Sequence, residues 1–239
     1  KSFWYKVYEP IIRKAAGFGT ASIKHDKERY EHKYEYCDLL ITGSGPSGLA
    51  SAYAAAQNGA KVILAEDKSR FGGSLLTSEV TIGNQSGQEW AEKIISELKS
   101  MPNVVVKNRS QVFGYYDHNM LVMSERISDH LPKTEKYIPK QRLWYIRAKE
   151  VIISSGSIER PLVFGNNDTP GVMLSSAAKE YLKIYGVLVG KKPLVFTNND
   201  SGYETAIEFK KNGINPVILD TRKDPISEIV NEAKSLNID

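Results

Sequence analysis

The 239-residue sequence predicts an α/β fold: a parallel βαβ unit with an antiparallel β-meander as crossover, then a partial second βαβ unit. Three observations carry this. Two apolar runs of strand length, Asp38–Thr42 and Lys61–Glu66, flank an alanine-rich stretch that opens with Gly43-Ser44-Gly45-Pro46-Ser47-Gly48. Three alternating runs follow in the middle of the chain, separated by turn residues or charge. Near the end, Leu194–Thr197, Tyr203–Asn212 and Pro216–Asp220 repeat the strand–helix–strand order.

Taken in order, residues 1–36 are polar, charged and aromatic, and read as a lead-in segment. Trp4, Tyr5, Val7, Tyr8, Ile11 and Ile12 are available to cover a neighbouring surface. The first strand is Asp38–Thr42. The helix after the glycine turn stops at Asn58-Gly59, a helix-end signal. Lys61–Glu66 then forms a second strand, and strand–helix–strand over so short a span requires a parallel pair, with the right-handed crossover expected of such units. Gln88–Met101 carries Trp90, Ile94, Ile95, Leu98 and Met101 at steps of three and four, an amphipathic helix ended by Pro102-Asn103. Val104–Val106 is a third buried strand.

The runs Gln111–Tyr116, Met120–Met123 and Arg142–Ile146 read as the meander. Asp117-His118-Asn119 makes its first turn and the charged loop Ser124–Lys140 its second. Glu150–Ser154 is expected as a separate return strand, ending in Ser155-Gly156. Arg160–Gly171, with two prolines and two glycines, should be irregular. Ser175–Tyr185 reads as a helix capped by Ser175 or Ser176. After the second βαβ unit a last helix runs over about Pro225–Leu236. The domains are therefore expected at 37–190 and, in part, at 191–239.

Composition excludes several functions. Net charge is +4, with Lys and Arg interleaved with acids, so no basic face for nucleic acid is indicated. No apolar run approaches the ~18 residues of a membrane span. The single cysteine, Cys37, precludes an internal disulfide, a redox pair or a cysteine-based metal centre, and fits a reduced, cytoplasmic setting. It reads as a packing residue. His25, His32, His118 and His130 lie in polar or turn segments and form no catalytic or metal-binding set. The chain opens on Lys1 and stops at Asp239 without a closing element, as a piece of a longer polypeptide would.

The chemistry lies in the glycine turn. A G-x-G-x-x-G that follows a strand and opens a helix binds the pyrophosphate of a dinucleotide. Gly43 makes the tight turn, Gly45 admits the phosphates and Gly48 lets the helix pack on the strand. Pro46 suits the first helical turn, where its missing N–H costs little, and Ser47 shares that turn. The helix N-terminus adds free N–H groups and partial positive charge. Glu66, 18 residues beyond Gly48 and at the end of the second strand, is placed to accept adenosine ribose hydroxyls, with Asp67 as the neighbouring alternative. A carboxylate there repels a 2′-phosphate and favours NAD or FAD over NADP; Lys68 and Arg70 weaken that exclusion. Phe71-Gly72-Gly73-Ser74-Leu75 supplies a glycine loop beside the diphosphate. Ser155 and Gly156 end the return strand with small residues against the ligand, and Val112 completes the candidate set. No catalytic residue is assigned. In the second βαβ unit the corresponding turn reads Thr197-Asn198-Asn199-Asp200-Ser201-Gly202, where only Gly202 remains. This turn is expected to be a structural remnant.

The order βαβ–meander–βαβ resembles flavoproteins with two dinucleotide-binding domains, so the first domain is expected to be Rossmann-like. Four stretches, VYEPIIRKAAGFG (Val7–Gly19), CDLLITGSGPSGLASA (Cys37–Ala52), ERPLVFGNNDTPGVM (Glu159–Met173) and LVFTNNDSGYETA (Leu194–Ala206), resemble the alpha subunits of heterotetrameric sarcosine oxidase. That resemblance implies a complex that oxidises sarcosine to glycine, passes the one-carbon unit to tetrahydrofolate and reduces oxygen to hydrogen peroxide. It implies NAD held at Gly43–Gly48, other subunits as partners, and flavin chemistry placed mainly elsewhere in the complex. The chain alone is then non-catalytic. The alternatives are an autonomous FAD enzyme oxidising a pyridine nucleotide, with FAD in the first site, and a non-enzymatic interaction scaffold.

Overall fold

A computed structural model describes residues 3–17, 19, 22–133, 135 and 137–239, so parts of the lead-in segment and of the charged loop lie outside the described residues. A six-stranded sheet dominates. Its strands are β1 (Tyr30–Thr42), β2 (Val62–Ala65), β5 (Val104–Lys107), β6 (Ser110–Tyr116), β7 (Met120–Arg126) and β8 (Gln141–Ile153). Their order is β5-β2-β1-β8-β7-β6. The first four positions pair in parallel and the last two antiparallel. A two-residue hairpin, β3 (Thr81–Ile82) with β4 (Gln85–Ser86), precedes the second helix of this part.

At β2 and the second half of β1 the sheet is buried on both faces, as parallel strands require. Ile41, Val62 and Leu64 point to one side, against α2 (Pro46–Gln57) and α3 (Gly87–Ser100), where Leu49, Ala52, Ile94, Ile95 and Leu98 close the core. Leu40, Ile63 and Ala65 point to the other, joined by Leu121, Met123, Trp144 and Ile146 from the meander. The alternation along β1 and β2 follows from the two-residue strand period. α3 begins with a capping box in which Ser86 and Glu89 satisfy each other's backbone N–H groups. Its stripe is as expected, with Trp90 and Met101 partly buried at its edges.

Three expectations need correction. β1 begins at Tyr30, so the boundary expected at Cys37 falls inside a strand. Residues 30–36 are too polar to be recognised as a strand, yet they pair residue for residue with Gln141–Arg147. The meander's third strand and the return strand are one strand, β8. It pairs with β7 over Gln141–Arg147 and with β1 from Gln141 to Ile153, so β1 carries it unbroken from Ile146 past Glu150. Finally, α4 (Ser175–Tyr185) has Leu174 at its N-cap, not a serine. The Glu159 carboxylate does the capping from the preceding loop, accepting from the Ser176 N–H at 2.9 Å and from both serine hydroxyls.

The second βαβ unit is β9 (Leu194–Thr197), α5 (Ser201–Lys211) and β10 (Val217–Asp220), a parallel two-stranded sheet. α6 (Glu228–Ser235), capped by Ser227, packs Val230 and Ala233 on Tyr203 and Ile207. At the other end, a π-helical turn (Trp4–Tyr8) leads into α1 (Glu9–Ala15). None of their residues is buried, so the apolar face expected to cover a neighbour is exposed. Cys37 is fully buried, and burial pushes its thiol up to about 11, in keeping with packing.

Candidate functional site

The glycine turn stands where β1 ends and α2 begins. Gly43 has φ +97°, a conformation that side chains disfavour, and a β-carbon there would also collide with the Ser154 carbonyl. A β-carbon on Gly48 would collide with the Gly43 carbonyl and meet the Ser154 side chain at 3.3 Å. These two glycines let helix, turn and β8 close on one another. Gly45 differs, because a β-carbon on it meets nothing within 4 Å. Its freedom is not needed for packing within the chain.

α2 starts at Gly45 with no side chain accepting from its first N–H groups. The starts of α3, α4, α5 and α6 each have a side-chain acceptor, from Ser86, Glu159, Asn199 and Ser227 respectively. Pro46 and Ser47 are exposed in the first turn of α2. The result is an open helix N-terminus lined by backbone N–H, suited to an anion.

Ser44 organises what surrounds this opening. It is fully buried, and both its N–H (2.9 Å) and its hydroxyl (2.5 Å) donate to Glu66 Oε2. The Lys68 N–H donates to Glu66 Oε1 at 2.9 Å. Glu66 is 6% exposed; burial, and next the Asp67 carboxyl beside it, push its pKa up, while the Ser44 hydrogen bonds pull it down. An ionised carboxylate has about four acceptor positions, so three donors leave room for a ligand hydroxyl. Asp67 is exposed, and its carbonyl accepts from Arg126 at 2.9 Å.

The glycine loop folds onto the same centre. The Gly72 N–H donates to the Ser44 carbonyl (3.1 Å) and lies 3.3 Å from its hydroxyl. Gly73 approaches so closely that a β-carbon on it would stand 2.8 Å from Gly45 Cα. Ser74 is exposed, whereas Leu75 is 3% exposed and belongs to the α2–α3 core, so its side chain faces away from any ligand. Ser155 abuts Gly43 through its backbone, and Gly156 has φ +71°. Val112 packs from β6 onto the meander core. Gly43–Gly48, Glu66, Asp67, Lys68 and Gly72–Ser74, with Ser155, are therefore gathered at one end of the sheet. Val112 packs in the cluster that holds Ile63, Ala65 and Met123.

The second turn is closed by its own side chains. The Thr197 hydroxyl donates to the Asn199 carbonyl (2.9 Å), and Asn199 Oδ1 accepts from the Ser201 N–H (2.9 Å). A β-carbon on Gly202 would stand 2.6 Å from that of Thr197. Asp220, at the end of β10, is engaged by Arg222 (2.8 Å) and by the Tyr203 hydroxyl (3.0 Å). Arg222 holds its pKa down to about 2. Arg222 also reaches Asp200 at 2.9 Å. Sequence reasoning found the missing glycines but not this clamp, whose members give no local signal. Among the described residues no group of three His, Cys, Asp or Glu could hold a metal, and no helix is long and apolar enough to cross a membrane.

Comparisons with known proteins agree with this geometry. Residues 38–122 match a family model described as FAD dependent oxidoreductase. The chain is 46% identical over 220 residues to the sarcosine oxidase subunit alpha of Rhizobium meliloti (strain 1021), covering 92% of this chain and 22% of that protein. It is 35% identical over 208 residues to the subunit of the same name from Corynebacterium sp. (strain P-1), covering 86% of this chain and 22% of that one. Among solved structures, L-proline dehydrogenase from P. horikoshii superposes with a TM-score of 0.65 at 22% identity, over 87% of this chain and 40% of that chain. That likeness shows the fold, a Rossmann-like α/β architecture. The chain spans about a fifth of the length of the curated relatives it matches.

Proposed function

We propose, from its homology to sarcosine oxidase alpha subunits over most of its length, that this chain is the dinucleotide-binding part of such a subunit. In this reading the binding domain runs from the start of β1 at Tyr30 to about residue 190, and 191–239 is a second domain that has lost its nucleotide. One observation carries the binding claim: α2 alone among the longer helices starts with no side-chain acceptor, at a turn whose middle glycine faces open space. Backbone N–H groups of that turn hold the pyrophosphate. Glu66, fixed by Ser44, accepts the adenosine ribose hydroxyls.

NAD is the first reading for the occupant. A flavin that drew hydride from a pyridine nucleotide would need the second turn open, and Thr197, Asn199 and Arg222 close it. FAD is the second reading, favoured by the description of the matched family. In the proposed complex, which is hetero-oligomeric and cytoplasmic, sarcosine is oxidised at other sites, and this segment has no catalytic side chain of its own.

An absorbance spectrum of the purified chain, with mass spectrometry of what heat releases, tests the assignment. A colourless protein that releases or binds NAD supports the first reading. Flavin bands with released FAD replace it by the second. Affinity for neither sinks both.

A further inference from the structure

Lys68 stands two residues beyond the strand-end acid, where a basic side chain meets a ribose 2′-phosphate in NADP-binding βαβ units. Its N–H is bound to Glu66 Oε1, so the loop carrying it is tied to the acid itself. Its ammonium is already engaged. Both carboxylate oxygens of Glu180, on α4, accept from Nζ at 2.7 Å. The partners lie 112 residues apart in the chain. Arg126, a second cation at this loop, gives a guanidinium N–H to the Asp67 carbonyl. Arg70 is exposed, and the half-buried Arg109 donates its backbone N–H to the Lys68 carbonyl. A 2′-phosphate arriving here would meet the Glu66 carboxyl and a lysine whose charge is already matched.

We propose that Glu180 is a positioning residue for nucleotide selectivity: by occupying Lys68 it leaves a site that takes a free ribose 2′-hydroxyl and refuses a 2′-phosphate. The inference rests on the glycine turn being a nucleotide site. The pair is partly exposed, with side chains 52% and 29% accessible, so its effect on selectivity is a modest factor.

The test uses ADP-ribose and its 2′-phosphate as probes, titrated calorimetrically into the chain at low ionic strength. The wild type should bind ADP-ribose at least about tenfold more tightly than the 2′-phosphate. Glu180→Gln should raise affinity for the 2′-phosphate by roughly fivefold and leave ADP-ribose affinity within about twofold. Adding Lys68→Met to that variant should remove the gain. Equal binding of the two probes by the wild type, an unchanged ratio in Glu180→Gln, or a gain that survives Lys68→Met would each overturn the selectivity role. No binding of ADP-ribose by the wild type would instead overturn the nucleotide site, and the inference with it. Thermal melting of each variant separates loss of fold from loss of selectivity.

Discussion

A β-carbon on Gly48 has no room against the Gly43 carbonyl, so Gly48→Ala should lower stability by about 2 kcal/mol. Gly45→Ala should leave the melting temperature nearly unchanged, since its β-carbon meets nothing within 4 Å. It should nevertheless weaken dinucleotide binding by about tenfold, or about 1.4 kcal/mol, because the methyl points into the space assigned to the phosphates. Melting and titration of the two variants check this; a Gly45→Ala protein with full affinity would move the ligand elsewhere. Glu66 gives a second prediction at this scale. Its pKa is raised on folding, chiefly by burial, so its contribution to stability is present below its unfolded pKa and is lost as pH rises through the folded value. Glu66→Gln should flatten that decline in the ligand-free protein, read as melting temperature against pH from about 4 upward. Identical slopes would show that Glu66 does not titrate as the buried geometry requires.

At the scale of elements, helix starts distinguish the two βαβ units. In the first, the N–H groups at the start of α2 have no side-chain acceptor; in the second, Asn199 supplies the acceptor for Ser201. Asn199→Ala should therefore cost about 1 kcal/mol of stability, the usual loss on removing a helix cap. It should leave dinucleotide affinity intact, because nothing in the second turn reaches the first. A variant that melts normally but binds weakly would make the second turn functional. The glycine pattern made the first half of this contrast legible from residues 43–48 alone. The second half was legible only as an absence of glycine. The contacts that replace it depend on Asn199 adopting one rotamer, and on Arg222 returning from beyond β10 to form ion pairs with Asp200 and Asp220.

At the scale of the molecule, the proposed role predicts a chain that binds nucleotide but does not turn over sarcosine by itself. Oxygen consumption with sarcosine as substrate should stay at the buffer rate for the isolated chain; sustained consumption would refute its non-catalytic assignment. The sequence by itself determined the local units. Strand, glycine turn and helix at 38–57, the amphipathic stripe of α3 and the second strand–helix–strand all follow from periodicity and turn chemistry acting within a few residues. It also singled out Glu66 as the candidate ribose acid, a fixed step beyond the turn, and the structure brings that side chain against Ser44. Only the tertiary structure decided that β8 is a single strand serving two neighbours, that Glu159 caps α4, that Ser44 captures Glu66 and that Glu180 engages Lys68. Each of these joins residues from 15 to 112 positions apart. Such pairings are set by where the sheet order and the packed helices bring the chain together, and local periodicity carries no record of that distance.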